Sequence, residues 1–325
     1  MKRKLSNQTI KKLFCGAIYF EEKDGYLTPY RYSKEQLDYM AKESYDWGWR
    51  MRAKFSGGIR MEFKTDSEYI SFSYKASDSH ERANTIDLYV NGTLTSVYHI
   101  GQSLKGKVEF ILPSGEKTVA IYMPGECKLD IKGFTIDGKY KAVKNKAQKI
   151  LVIGDSITQG AGPEIASASY LHSLQRKTGY NILGQGVGGY RYEPCDLMRV
   201  DGFEPDKIIV FLGTNYYELA CFARGYDYEK AVFDFYKRLN ELYPETPILS
   251  VTPLFRTRDM DKERFMWCID TIKNACALYK NVRVADGFAM MPCVEACLSD
   301  GVHPNAFGSE LLAANLAKYM KEIKF

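Results

Sequence analysis

The sequence predicts an α/β protein in two parts, an all-β sandwich followed by a parallel sheet covered by helices. Two observations carry this. Up to residue 136 the chain alternates apolar and polar residues in short runs separated by turn-forming residues, the period of half-buried strands. From residue 149 onward short apolar runs alternate with longer stretches of helical period, as strands buried on both faces and joined by crossover helices require. Between them, residues 139–149 are basic, hold few large apolar side chains and read as a linker. The division is therefore set at residues 1–145 and 146–325.

In the first part, residues 13–20 read as a buried strand. Residues 33–42 read as a helix, with Ser33 at the N-cap and Gln36 three positions on in a capping-box arrangement. Strands follow at residues 58–63, 69–74, 85–90, 95–100, 107–112, 118–123 and 128–136. Asn91-Gly92 marks a hairpin turn, and Pro113-Ser114-Gly115 and Pro124-Gly125 supply further turns. In the second part strands are expected at residues 149–153, 181–184, 207–212, 247–251 and 282–285. A helix follows the first of these, and others are expected at 228–243, 261–279 and 305–324. Catalytic groups on such sheets gather at the carboxyl ends of the strands.

Composition bounds the function. The 325 residues are 45% hydrophobic and 26% charged, the profile of a soluble globular protein. No apolar run approaches the roughly 18 to 20 residues needed to span a bilayer, so no membrane partner is expected. The 45 Lys and Arg nearly balance the 40 Asp and Glu, which argues against a nucleic-acid partner. The basic N-terminus and the apolar residues 13–20 imitate a signal peptide, but the run is short and meets Glu21-Glu22-Lys23-Asp24 without a small-x-small cleavage site. A cytoplasmic location with eight reduced cysteines is the expectation. Cys293 and Cys297 are spaced as a metal pair can be, yet no second pair accompanies them, so no metal and no cofactor is expected.

Four places could carry chemistry. Ser156, in Gly154-Asp155-Ser156-Ile157-Thr158, directly follows the first buried strand and precedes a helix, where the helix N-terminus stabilises developing negative charge. Asp300-Gly301-Val302-His303 can bring a carboxylate onto one imidazole nitrogen, leaving the other as a general base. Asn215, in Gly213-Thr214-Asn215, follows another apolar strand and could donate its amide to an oxyanion. In Gly186-Val187-Gly188-Gly189-Tyr190 a glycine lets a backbone N–H approach a reacting carbonyl. Each alone has an ordinary explanation as a cap or a turn. Of the four histidines, His80 and His99 fall in the β part, and His172 lies in the helix after Ser156, where a packing role fits. Only His303 combines a loop setting with a nearby carboxylate.

Together, and in this order, the four blocks resemble the SGNH (GDSL-like) hydrolase superfamily over about residues 149 to 325. Gly154-Asp155-Ser156 resembles its first block, Gly189 the second-block glycine, Gly213-Thr214-Asn215 the third, and Asp300-x-x-His303 the last. Tyr216 follows Asn215 where Asp is common, and Thr158 stands where a G-x-S-x-G motif would end in glycine. The resemblance implies a flavodoxin-like three-layer α/β/α domain and ester hydrolysis without a metal. It assigns Ser156, Asp300 and His303 to a catalytic triad, and Ser156, Gly189 and Asn215 to an oxyanion hole. Asp155, Tyr190 and Tyr216 are set at the substrate pocket. The jelly-roll-like front part, with the runs at residues 58–67 and 86–92, resembles that of the two-domain bacterial esterases similar to family-2 carbohydrate esterases.

The implied activity is removal of short acyl groups, acetyl above all, from a small-molecule or oligosaccharide ester. A lysophospholipase or thioesterase with a longer acyl pocket is the rival within the same chemistry. A glycan-binding protein with an inert SGNH domain is the rival from another class. A homo-oligomer is left open.

Overall fold

The computed structural model describes residues 1–43, 47–77, 84–100, 104–143, 147–217, 225–258 and 261–325. In chain order the N-terminal strands are β1 (Arg3–Lys4), β2 (Phe14–Cys15), β3 (Tyr19–Lys23), β4 (Tyr26–Tyr30), β5 (Arg60–Thr65), β6 (Tyr69–Ser77), β7 (Thr85–Val90), β8 (Thr93–His99), β9 (Lys105–Ile111), β10 (Lys117–Tyr122), β11 (Lys128–Ile136) and β12 (Tyr140–Ala142). Among the described residues they form one antiparallel sheet in the order β3-β4-β11-β6-β9, with β1 beside β11, and another in the order β12-β5-β10-β7-β8, with β2 beside β5. Inward-facing residues of both sheets share one core, in which Phe72 of the first sheet and Phe63 of the second meet the ring of Phe134 at 5.8 and 6.0 Å. This is the expected β-sandwich.

Turn chemistry sets the hairpins. Asn91 and Gly92 both take positive φ (51° and 82°), the backbone of a type I′ turn that matches strand twist. Asp24 and Gly25 (53° and 75°) repeat it between β3 and β4, a hairpin the sequence reading did not anticipate. Residues 13–20 are not one buried strand. β2 is a two-residue pairing with β5, and the chain turns at Gly16, whose φ of 77° and close approach to the Gly58 carbonyl admit no side chain. The expected linker at 139–149 begins with strand β12, paired to β5. An edge strand needs little apolar side chain, so its polar sequence concealed it. The expected boundary at residues 145 and 146 lies outside the described residues.

Helix α1 (Asn7–Lys11) is capped by Ser6. Helix α2 (Lys34–Glu43) carries the capping box: the Gln36 N–H donates to Ser33 Oγ (3.1 Å) and the Ser33 N–H to Gln36 Oε1 (3.0 Å). Helix α3 (Trp47–Arg52) was not foreseen.

The second sheet system is parallel: β13 (Lys149–Gly154), β14 (Asn181–Gly186), β15 (Lys207–Phe211), β16 (Ile248–Val251) and β17 (Val282–Ala285), in the order β14-β13-β15-β16-β17. This is the 2-1-3-4-5 order of flavodoxin-like folds, with the switch point between β13 and β15. On one face Ile150, Val152 and Ile209 pack with α5 (Tyr170–Thr178) and with the C-terminal helix at Ala306–Glu322. On the other, Leu151, Ile153 and Val210 pack with α6 (Tyr228–Leu242) and α7 (Lys262–Cys276). That second core also takes in Tyr32, Met40, Trp49 and Ala53. The segment carrying α2 and α3 therefore leaves the sandwich and covers part of the parallel sheet. No helix among the described residues is long and apolar enough to cross a membrane.

Candidate active site

The loops at the carboxyl ends of β13, β14 and β15 meet beside the switch point. β13 ends at Gly154, where a Cβ would lie 2.1 Å from Thr158 Oγ1, so the strand can turn sharply only because this residue is glycine. Asp155 caps the short helix α4 (Ser156–Gln159) by accepting from the Ile157 N–H (3.0 Å). Its side chain is 2% exposed, and burial pushes its carboxyl up to about 6. Ser156 is the first helical residue, with its N–H at the helix start. Thr158 is hydrogen-bonded to the buried Tyr170 hydroxyl at 2.8 Å and fixes the turn to α5.

Ser156 Oγ lies 2.7 Å from His303 Nε2. On the far side of the ring, His303 Nδ1 lies 2.9 Å from Asp300 Oδ2 and 3.1 Å from Oδ1. The Asp300–His303 turn is built around its own carboxylate: the N–H groups of Val302 (3.1 Å) and His303 (2.9 Å) both donate to Asp300 Oδ1. The hydrogen bond from His303, with these backbone donors, holds the Asp300 carboxyl well below the usual carboxylate range. It is ionised at neutral pH and accepts from Nδ1, which leaves Nε2 to face the hydroxyl as an acceptor.

Neighbouring loops lock this turn. The N–H groups of Thr257 and Arg258 donate to the Gly301 carbonyl (2.8 and 3.2 Å). Gly162, at φ 112°, presses on it from the other side, where a Cβ would stand 2.2 Å from the Pro304 carbonyl oxygen and 2.9 Å from His303 Cβ.

Asn215 sits in the turn Thr214–Tyr217 after β15, and its Nδ2 donates to the Tyr190 carbonyl at 3.0 Å. In the turn after β14, the Gly188 N–H donates to Gln159 Oε1 (2.8 Å) and the Tyr190 N–H to the Val187 carbonyl (2.9 Å). The Gly189 N–H lies between them. Tyr190 is buried, with its ring edge-on to Trp49 at 5.2 Å. The side chain of Tyr216 lies outside the described residues.

The structure thus brings Ser156, His303 and Asp300 into one hydrogen-bonded line, and joins Gly189 and Asn215 through Tyr190. It adds residues the sequence did not single out. Arg52 Nη1 donates to the Gly188 carbonyl (2.8 Å). Arg31 is wholly buried and donates to the carbonyls of Gly186, Gly184 (3.3 Å), Arg52 (2.8 Å) and Phe55 (3.0 Å). Both come from the N-terminal half, Arg31 just after β4 and Arg52 at the end of α3, and neither carries a local sign of such a role. Gly162 had a faint one, as the second glycine of Gly160-Ala161-Gly162 just after the serine block. His172 is buried with its ring edge-on to Tyr122 at 4.6 Å, and burial lowers its pKa. It packs, as expected, while His80 lies outside the described residues. Among those residues no three His, Cys, Asp or Glu side chains converge as a metal site would need.

Residues 152–311 match the model of the GDSL-like Lipase/Acylhydrolase family. By sequence alone no curated protein matches the chain. Among solved structures, the salicylyl-acyltransferase SsfX3 from a tetracycline biosynthetic pathway is similar over 99% of this chain and 98% of its own, at 19% identity and a TM-score of 0.82. An acetyl xylan esterase from Butyrivibrio proteoclasticus is similar over 83% of this chain and 91% of its own (17% identity, TM-score 0.64). A family-two carbohydrate esterase from Clostridium thermocellum, solved with cellohexaose, is similar over 83% and 93% (17% identity, TM-score 0.65). The domain at residues 152–311 belongs to the GDSL-like lipase/acylhydrolase family, and the chain is by class a carboxylic ester hydrolase.

Proposed function

We propose that the protein is a serine esterase that removes short acyl groups, acetyl above all, from carbohydrate esters. Residues 146–325 are its catalytic domain and 1–145 an accessory sandwich. The observation that carries this reading is the unbroken line from Ser156 Oγ through the His303 ring to Asp300, at 2.7 and 2.9 Å. Likeness to an acetyl xylan esterase and to an esterase solved with cellohexaose supports the substrate class.

His303 Nε2 takes the Ser156 proton as the hydroxyl attacks the ester carbonyl, and Asp300 steadies the imidazolium that forms. The oxyanion is held by the N–H groups of Ser156 and Gly189 and by the Asn215 amide, which its bond to the Tyr190 carbonyl orients. His303 protonates the leaving alcohol, then activates the water that releases the acid. Asp155 is the buried cap that fixes Ser156 and Tyr190 the link between the oxyanion donors, while Tyr216 is assigned to the substrate pocket by its place after Asn215 in the sequence. The cytoplasmic assignment rests on the seven described cysteines, all free, in keeping with a reducing compartment.

A chain-length series of p-nitrophenyl esters tests the acyl preference. kcat/KM peaking at acetate is expected, and a peak at octanoate or beyond would replace this reading with a lysophospholipase or thioesterase. Full-length likeness to an acyltransferase raises transfer to an alcohol in place of water. Running the series with and without an added sugar acceptor separates the two, since transfer yields an acylated sugar in place of free acid.

Gly162→Ala tests the geometry. A Cβ there must displace the His303–Pro304 backbone. A misplacement near 1 Å is expected to lower kcat about 100-fold in a protein that still melts cooperatively. Unchanged kcat would mean that His303 is not held from this side.

A further inference from the structure

Arg191 follows the oxyanion turn directly and is the charged residue whose surroundings the mechanism above leaves unused. Its guanidinium lies between two aromatic rings, with Cζ 5.8 Å from the Trp49 centroid and 5.8 Å from that of Tyr226. Its Nε is buried and meets no acceptor among the described residues. Neither does the adjacent indole Nε1 of Trp49, a side chain only 3% exposed, which lies 3.4 Å from where a Gly189 Cβ would stand. Two orphaned donors thus sit together against the Gly189 turn.

A guanidinium is always charged, and stripping it of water without an acceptor costs free energy that ring stacking only partly offsets. Its carboxyl neighbour is a poor counter-ion. Glu193 is pushed up to about 7 by burial and by Asp196, against the pull of Arg191. Asp196 is itself raised to about 6 by burial. At neutral pH the aromatic clamp therefore presents positive charge beside the oxyanion donors, with Glu193 only partly ionised next to it among the described residues. The planar fork of an arginine so held matches a carboxylate, to which it can donate two parallel hydrogen bonds.

We propose that Arg191, clamped by Trp49 and Tyr226, forms a subsite for a carboxylate on the substrate, so that the preferred esters are acidic ones. This rests on the esterase reading of the same site and deepens it.

The test compares acetyl esters that differ in one charge: 3- and 4-acetoxybenzoate against the corresponding acetoxybenzamides, each rate normalised to its uncatalysed hydrolysis. The wild-type protein should favour an acid over its amide by about ten- to a hundredfold in kcat/KM, mostly through KM. Arg191→Met should bring the ratio close to one, and Arg191→Lys should restore part of it, since charge returns without the planar fork. Calorimetric binding of 3- and 4-hydroxybenzoate gives a readout that needs no turnover, and thermal melting establishes that the variants fold. No wild-type preference for either acid, or a preference that survives in Arg191→Met, overturns the subsite. So does hydroxybenzoate binding that is absent, or equal in wild type and variant. If no ester is turned over but a hydroxybenzoate binds wild type more tightly than Arg191→Met, the subsite stands and the esterase reading falls.

Discussion

Ser156→Ala is expected to lower kcat on an aryl acetate by about a millionfold, to the residue of catalysis that oxyanion donors and binding supply alone. The argument is geometric. Ser156 Oγ is the only group at the helix start within hydrogen-bond reach of His303 Nε2 among the described residues, and the ring is turned toward it by two contacts to Asp300. Alanine removes the hydroxyl and leaves Asp155, the helix cap and the His303 turn in place, so folding should be unaffected. Rate measurement on a pure sample, with a fluorophosphonate probe to count reactive serines, checks it. Turnover that survives the substitution, or a probe that labels wild type at another serine, would remove Ser156 from the mechanism.

Arg31→Met carries the second large effect, on stability and turnover together. Arg31 has no accessible surface, and burial lowers its pKa to about 10, which keeps it charged at neutral pH. It is paid for by carbonyls: those of Phe55 and Arg52 in the N-terminal half and of Gly184 and Gly186 at the end of β14. Methionine keeps the volume and deserts all four acceptors. At about 1–3 kcal/mol for an abandoned buried group, partly relieved by relaxation, the loss should be about 3–5 kcal/mol, as for other broken buried charge networks. A urea titration should show it as an earlier midpoint. Because Gly186 opens the turn that holds Gly189, kcat should fall further than the folded fraction explains. A stability loss below about 0.5 kcal/mol, the scale of a surface change, would show that the carbonyls find other donors.

Much of this was legible in the sequence because it is local. The inner parallel strands hold apolar runs at Ile150–Ile153 and Ile208–Phe211, and Val282–Ala285 was read to the residue, as were Thr85–Val90 and Lys128–Ile136 in the sandwich. The capping box at Ser33 and Gln36 and the Asn91-Gly92 turn announce themselves through neighbouring side chains. The four blocks of the site are legible for the same reason, since each lies within one βα turn or one tight loop. What the sequence concealed is set by distant contact. β12 is polar because it is an edge, and residues 13–20 break at Gly16 because another part of the chain comes too close there. Arg31, Arg52 and Gly162 each reach the site through a partner more than a hundred residues away.

Trp49, Arg31 and Arg52 reach the Gly186–Tyr190 turn from a segment that precedes most of the sandwich in sequence, and Trp49 shares a core with the parallel sheet. The leading half is therefore a scaffold component of the hydrolase and cannot be treated as an interchangeable cartridge. A chimera that fused residues 146–325 to a foreign β-module would inherit Ser156, His303 and Asp300 intact, yet lack the struts beneath the Gly186–Tyr190 turn. Substitutions on the outer sheet faces leave that bracing untouched, while changes in α2 and α3 bear directly on the loop above them.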